Sequence, residues 1–192
     1  VNLPHRTVPD PASTLNFEAI GAQLPVYAER LPDTPRDGQE IYYAADAANG
    51  VIWHLRYRSA ASGSYKWDFL GGPPLFAEVT PDQNLKSTSY AALGGPSVTI
   101  PLAGDFDVEI GCRHWNSQYG YMSYDIGGTA ASDADAVLLG MGSTGDSGSR
   151  LRRKTGLAAS TALVSKYREY VASGTGSWFS QRWMRVVPIR VG

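Results

Sequence analysis

Val51-Ile52-Trp53-His54-Leu55-Arg56-Tyr57-Arg58 is the stretch that decides the fold class. Val51, Trp53, Leu55 and Tyr57 fall on one side of a period of two, and Ile52, His54, Arg56 and Arg58 on the other. Successive side chains of an extended chain point to opposite faces, so this alternation describes a half-buried β-strand. Upstream, residues 39–45 hold Ile41, Tyr42 and Tyr43, and Ala48-Asn49-Gly50 then supplies Asn-Gly turn chemistry. Downstream, small residues fill 59–64, and Tyr65-Lys66-Trp67-Asp68-Phe69-Leu70 alternates again before Gly71-Gly72-Pro73-Pro74 stops the run. The three runs predict a β-meander with an aromatic face. A unit that small needs something to pack on, so it is expected to dock on the C-terminal part of the chain.

Further strand-like runs occupy 75–79, 97–102, 106–115, 119–126, 150–157, 163–172 and 183–191. Residues 131–141 read as a short helix or a turn, and 160–170 fit either a strand or a helix. With 21 glycines, 12 prolines and 18% charged residues against a usual 25% or so, the composition points away from a helical bundle. The expectation is an all-β chain: a jelly-roll-like β-sandwich body over 75–192, preceded by the aromatic meander over 26–74.

Residues 1–25 read differently. Pro4, Pro9, Pro11 and Pro25 bias their predecessors toward extended geometry. Ser13 or Thr14 caps a short predicted helix in which Phe17, Ile20 and Leu24 recur at three- and four-residue spacing. With Leu3 and Leu15 these form the apolar anchors of an arm, which packs either on its own domain or on a neighbouring subunit.

A net charge of −1 and a pI near 6.3 remove the electrostatic footprint of a general nucleic-acid binder. The single cysteine, Cys112, excludes an internal disulfide framework and a zinc site built on several thiolates. No apolar run approaches the roughly 20 residues a membrane helix needs, and Val1-Asn2-Leu3-Pro4-His5-Arg6 lacks the apolar stretch of a signal peptide. Synthesis in a cytoplasm is the expectation. No phosphate loop or other cofactor motif is present, so no cofactor is expected.

Gly145-Asp146-Ser147-Gly148-Ser149 resembles the nucleophile loop of chymotrypsin-like serine proteases, and His54, Asp105 or Asp107, then Ser147 follow that family's order. Against it, His54 sits inside an alternating strand, and Ser149-Arg150 departs from the loop pattern. His5, His54 and His114 lack the spacing of a metal helix. Asp133 and Asp135 beside Ser132 offer oxygens for calcium, but no Glu completes a recognised loop.

Arg150, Arg152 and Lys154 share one face of a predicted strand, with Leu151 and Arg153 on the other. The stripe is either a solvated face or a contact for phosphate, an acidic glycan or an acidic neighbour. Trp115, Tyr119, Tyr121 and Tyr124 cluster around a predicted hairpin tip at Asn116-Ser117-Gln118. Such aromatics serve as core, fill a subunit interface, or stack on sugar rings.

Several segments together resemble structural proteins of tailed bacteriophages. Pro35-Arg36-Asp37-Gly38-Gln39-Glu40-Ile41, the Trp-bearing Gly50–Tyr57 segment and Lys66-Trp67-Asp68-Phe69-Leu70-Gly71-Gly72 are similar to a module of those proteins. Gly104-Asp105-Phe106-Asp107-Val108-Glu109-Ile110-Gly111 resembles a central strand of their sandwich, and 182–191 their closing strand. The resemblance implies a non-enzymatic virion component, either a minor tail or receptor-binding protein or a head decoration. It implies closure as a homotrimer, attachment to other virion proteins through the arm, and in a receptor-binding role contact with a host cell-surface glycan. It carries no catalytic residues.

Overall fold

The structure is a computed structural model that describes residues 26–192 apart from 117, 141 and 173. The arm anchors Leu3, Leu15, Phe17, Ile20 and Leu24, with their predicted helix, lie outside the described residues. The described residues form an all-β chain without helix. Its strands are β1 (Val26–Ala28), β2 (Glu40–Asp46), β3 (Val51–Tyr57), β4 (Trp67–Gly71), β5 (Leu75–Val79), β6 (Gln83–Leu85), β7 (Ser97–Thr99), β8 (Gly104–Asn116), β9 (Gly120–Ile126), β10 (Val137–Leu139), β11 (Gly142–Leu157), β12 (Ala162–Glu169) and β13 (Ser177–Val191).

Two sheets make a β-sandwich. The large sheet is organised around β13. One of its edges pairs antiparallel with β8, and the other takes β6, β5 and β4 in succession along its length. β8 pairs with β11 on its far side, while β4 leads on through β3 and β2 to the parallel edge strand β1. The smaller sheet runs β10-β9-β12-β7.

The core lies between them. β8 turns Phe106, Val108, Ile110 and Cys112 inward, and Met122, Tyr124, Leu163, Tyr167, Val137 and Leu139 of the smaller sheet complete the same buried cluster. β12 keeps strict alternation of buried and part-exposed residues, which resolves the helix-or-strand ambiguity at 160–170 in favour of strand. In β13 the inward set changes from Ser177 and Phe179 to Arg182, Met184 and Val186. A register shift between Ser180 and Trp183 causes the change, with Gln181 at φ 46 absorbing the extra residue. One inserted residue swaps the faces because the side-chain period is two.

The meander forms as the alternation predicts, β2–β3–β4, and joins the large sheet where β4 meets β13. Trp53 is fully buried, with its ring centroid 6.3 Å from those of both Phe69 and Phe106. Residues 26–74 and 75–192 therefore share one sheet and one core.

Four expectations are corrected. The strand expected at 150–157 begins at Gly142, and the one expected at 183–191 begins at Ser177. Of the helix or turn expected at 131–141, the turn forms near 133–135 and is followed by the strand β10, with no helix among the described residues. Most important for the site, 106–126 is not a hairpin: β8 and β9 lie in different sheets. Both edges of β8 are already occupied, by β13 and β11, so β9 has no edge to pair with.

Candidate functional site

Among the described residues, the outer face of the large sheet brings charged, polar and aromatic side chains together. β8 places Asp107, Glu109, Gly111, Arg113 and Trp115 there, two residues apart. Two of its carboxylates are matched across strands: Arg153 Nε lies 3.1 Å from Asp107 Oδ1, and Arg185 Nη1 lies 3.7 Å from Glu109 Oε2. Ser149 Oγ donates to Glu109 Oε1 at 3.2 Å.

Gly111 is different because it has no side chain to offer. The cross-strand row Glu78, Trp183, Gly111, Ser149 runs over four adjacent strands, β5-β13-β8-β11. The Trp183 indole fills the space over Gly111. A Cβ there would stand 2.5 Å from Cζ2 and 2.8 Å from Nε1 of that ring. Any larger residue at 111 would push the indole away, so the glycine is what lets Trp183 lie across β8.

Above this row opens a cleft of about 600 Å³ lined by Glu78, Thr80, Arg113, Ser147, Ser149, Gln181 and Trp183. Its size suits a small ligand, and an aromatic wall with a few convergent polar groups is the usual make-up of such sites. The β13 bulge sits at the cleft, with the Gln181 N–H donating to Thr80 O at 3.1 Å. Bulges re-aim side chains and occur often beside functional sites. Beyond Arg113, which lies 5.7 Å from the Trp115 ring centroid, Trp115 and Trp178 are cross-strand partners. Their rings are parallel within 1° and 6.2 Å apart, and Trp178 is 40% exposed.

A second aromatic group lies on the smaller sheet. Arg168 sits 3.9 Å from the Tyr121 ring centroid, and Tyr170 flanks both Tyr119 and Tyr121 at 6.1 and 6.2 Å. Arg168 also makes a two-point contact with Asp133, and the Tyr90 hydroxyl donates to the same carboxylate at 2.8 Å. The Arg168 hydrogen bonds hold the Asp133 carboxyl below its ordinary range, and burial raises the Tyr90 phenol.

The aromatics read from the sequence as one cluster are thus divided. Trp115 is on the large sheet, Tyr119 and Tyr121 are on the smaller one, and Tyr124 is in the core at 1% exposure. The basic stripe is turned inward onto the 131–136 turn. Arg150 Nη2 and Arg152 Nε donate to Ala134 O at 3.4 and 3.0 Å, and Lys154 Nζ lies 2.5 Å from Asp135 Oδ1.

The protease arrangement is not assembled. His54 on β3 and Ser147 on β11 stand four strand spacings apart in the sheet, roughly 19 Å laterally. His54 Nε2 lies 2.7 Å from Glu40 Oε2, and Asp105 accepts the Gly156 N–H at 3.0 Å. Asp133 and Asp135, weighed as calcium ligands, are engaged by Arg168 and Lys154. Among the described residues no cluster of His, Cys, Asp or Glu is placed to hold a metal ion.

Sequence reading missed Trp183, Glu78 and Gln181 as site residues. A signal was present: Gln181, Trp183 and Arg185 alternate with Met184 and Val186, which sets a Trp on the polar side of a strand. Its partner Gly111 lies 72 positions away in the chain, and only the sheet pairing brings the two together.

No protein-family profile and no curated protein matches the chain. Among solved structures it is similar to the insecticidal delta-endotoxin Cry8Ea1 from Bacillus thuringiensis, at 16% identity and TM-score 0.36, over 62% of this chain and 20% of that one. It is also similar to the C-terminal CBM6 of LamC, a marine laminarinase from Zobellia galactanivorans, at 14% identity and TM-score 0.30, over 59% of this chain and 99% of that one. The chain spans a fifth of the toxin's length. Neither TM-score reaches 0.5, so no function is carried across from either.

Proposed function

We propose that the chain is a non-enzymatic structural component of a tailed-phage virion, carried on the tail apparatus as a minor tail or receptor-binding protein. Residues 1–25 are its attachment arm, and the β-sandwich projects outward. Three copies close about an axis, which gives the terminal strands of the large sheet, β1 and β11, a partner.

One observation supports this reading above others: the quoted residues of the N-terminal part of the phage resemblance, 35–72, help close one meander. Gly38 adopts φ 78, and Asp37 Oδ1 accepts both the Ser59 N–H and its hydroxyl, at 2.7 and 2.8 Å. Glu40 receives the Arg56 guanidinium at 2.9 and 2.7 Å. The Trp53 indole N–H donates to Pro73 O at 3.1 Å, and Gly72 passes so close to β3 that a Cβ would stand 2.4 Å from Ile52 O. These contacts hold the β2–β3–β4 meander together, which gives the quoted motif residues structural roles.

Antibody raised against the chain, applied to purified particles of the encoding phage, tests the proposal. Label at the tail supports it, and deletion of residues 1–25 should then abolish incorporation while the sandwich still folds. Label spread over the head replaces the tail position with a decoration role, and particles lacking the chain overturn the reading. Light scattering on the purified protein should give three times 20.7 kDa, and a monomer overturns the trimer.

A further inference from the structure

We infer that the cleft on the outer face of the large sheet is a binding site for a neutral carbohydrate chain, with Trp183 as the ring on which a sugar stacks. This stands on the cleft itself, so the virion position of the protein can fail without touching it.

The chemistry of the cleft selects the ligand class. Trp183 supplies an aromatic surface, half-buried and held in place across Gly111. A pyranose offers the complement, an apolar C–H face that desolvates against a ring, with hydroxyls around its rim. Around Trp183 stand one carboxylate, one guanidinium, one amide and three hydroxyls, from Glu78, Arg113, Gln181, Thr80, Ser147 and Ser149. That set contains donors and acceptors in mixture, which suits sugar hydroxyls.

The same set disfavours other ligands. A phosphate or acidic glycan would meet Glu78 as well as Arg113, and the neighbouring cations are committed: Arg185 to Glu109 and Arg153 to Asp107. An apolar peptide would bury the Glu78 carboxylate against a surface that cannot hydrogen-bond it, at a desolvation cost. Among the described residues one carboxylate, Glu78, lines the cleft rather than the paired acids of glycoside hydrolysis, and the site reads as one of binding. The exposed Trp178, paired with Trp115 past Arg113, extends the aromatic track on the same face. A chain of several sugars, rather than a monosaccharide, is therefore the fitting ligand.

The test uses the full chain and a panel of maltohexaose, cellohexaose and chitohexaose, with polygalacturonate as the acidic probe, followed by tryptophan fluorescence and calorimetry. Saturable binding of a neutral hexasaccharide is expected, weakened at least about tenfold in Trp183→Ala by loss of the stacking ring. Glu78→Ala keeps the exposed surface and the fold, and should weaken binding severalfold. Gly111→Ala leaves the indole in the protein but displaces it, and should mimic Trp183→Ala. Urea unfolding of each variant confirms that it is folded. Three outcomes overturn the inference: no neutral oligosaccharide binding up to about 10 mM, an affinity far below that of dedicated sites; binding of polygalacturonate alone; or binding unchanged in both Trp183→Ala and Glu78→Ala. Dissociation of an oligomer in Trp183→Ala, without sugar binding by the wild type, also overturns it, by making this face an interface between copies.

Discussion

Arg182 is buried against Tyr167, its guanidinium carbon 5.6 Å from the ring centroid, at 1% exposure and with no carboxylate ion pair among the described residues. Backbone takes two of its donors instead: Nη1 donates to Leu93 O at 2.9 Å and Nη2 to Pro81 O at 3.1 Å, while Nε is buried without a hydrogen-bond partner. These bonds fasten the 81–93 segment to β13. Arg182→Met keeps most of the volume but leaves two carbonyls without their charged donors, each at a cost of about 1–3 kcal/mol. Release of an unfavourably buried charge offsets part of this. The expected net loss is about 2 kcal/mol by urea unfolding, with hydrogen exchange rising first at Ala91, whose N–H donates to Tyr167 O.

The meander depends on two contacts between β3 and the chain after β4. Trp53→Phe removes the indole donor to Pro73 O and opens space beside Phe69 and Phe106. Together these should cost about 2–4 kcal/mol. Gly72 sits at φ 127, with no room for a Cβ beside Ile52 O. Gly72→Ala should therefore cost about 3 kcal/mol. Thermal unfolding reads both, and a Gly72→Ala midpoint equal to wild type would refute the close approach.

The meander was legible because its signals are local. Alternation over 51–58 and an Asn-Gly turn specify strand, face and reversal within a few residues, and β3 matches to within one position. Elsewhere the partner decides. Gly142–Ser149 has the composition of a loop, yet it is strand because β8 offers an open edge to it. Asn116-Ser117-Gln118 reads locally as a hairpin tip, and only the occupancy of both β8 edges shows why the chain crosses to the other sheet. The cleft was invisible for the same reason: Trp183 and Gly111 become a site through register, which no local pattern encodes.

The inward basic stripe makes a prediction that separates structure from recognition. Lys154 contacts Asp135 with both groups under 20% exposed, and Arg152 donates to Ala134 O, so the stripe holds the 131–136 turn. Lys154→Met should cost about 1 kcal/mol, since a partly buried pair exceeds the usual surface value. The double variant Arg150→Ala/Arg152→Ala should loosen amide exchange at Ala136, whose N–H donates to Asp133 O. Retention on heparin should stay as weak as in wild type. A salt-dependent affinity for heparin that the double variant abolishes would refute the structural assignment.

Acid should destabilise the protein in two stages. Burial holds the His114 imidazole below its ordinary value of 6.5, so the folded protein resists taking up a proton that the unfolded chain accepts. Its contribution is complete above about pH 6.5 and is lost as pH falls from there toward the lowered folded value. The carboxylates titrate next. Hydrogen bonds from Arg56 and then His54 lower Glu40, those from Arg168 lower Asp133, and the Ser59 backbone N–H lowers Asp37. Each favours folding while ionised, with full effect above the ordinary carboxylate range near pH 4 and loss below it. Urea midpoints should therefore hold level from pH 7 to 8, decline gently below about 6.5 and drop steeply below about 4. His114→Phe should remove the first decline, and Glu40→Gln should reduce the second without moving the first. A midpoint that rises as pH falls from 6.5 to 5 would show that His114 is charged in the folded state and refute its burial as a neutral ring.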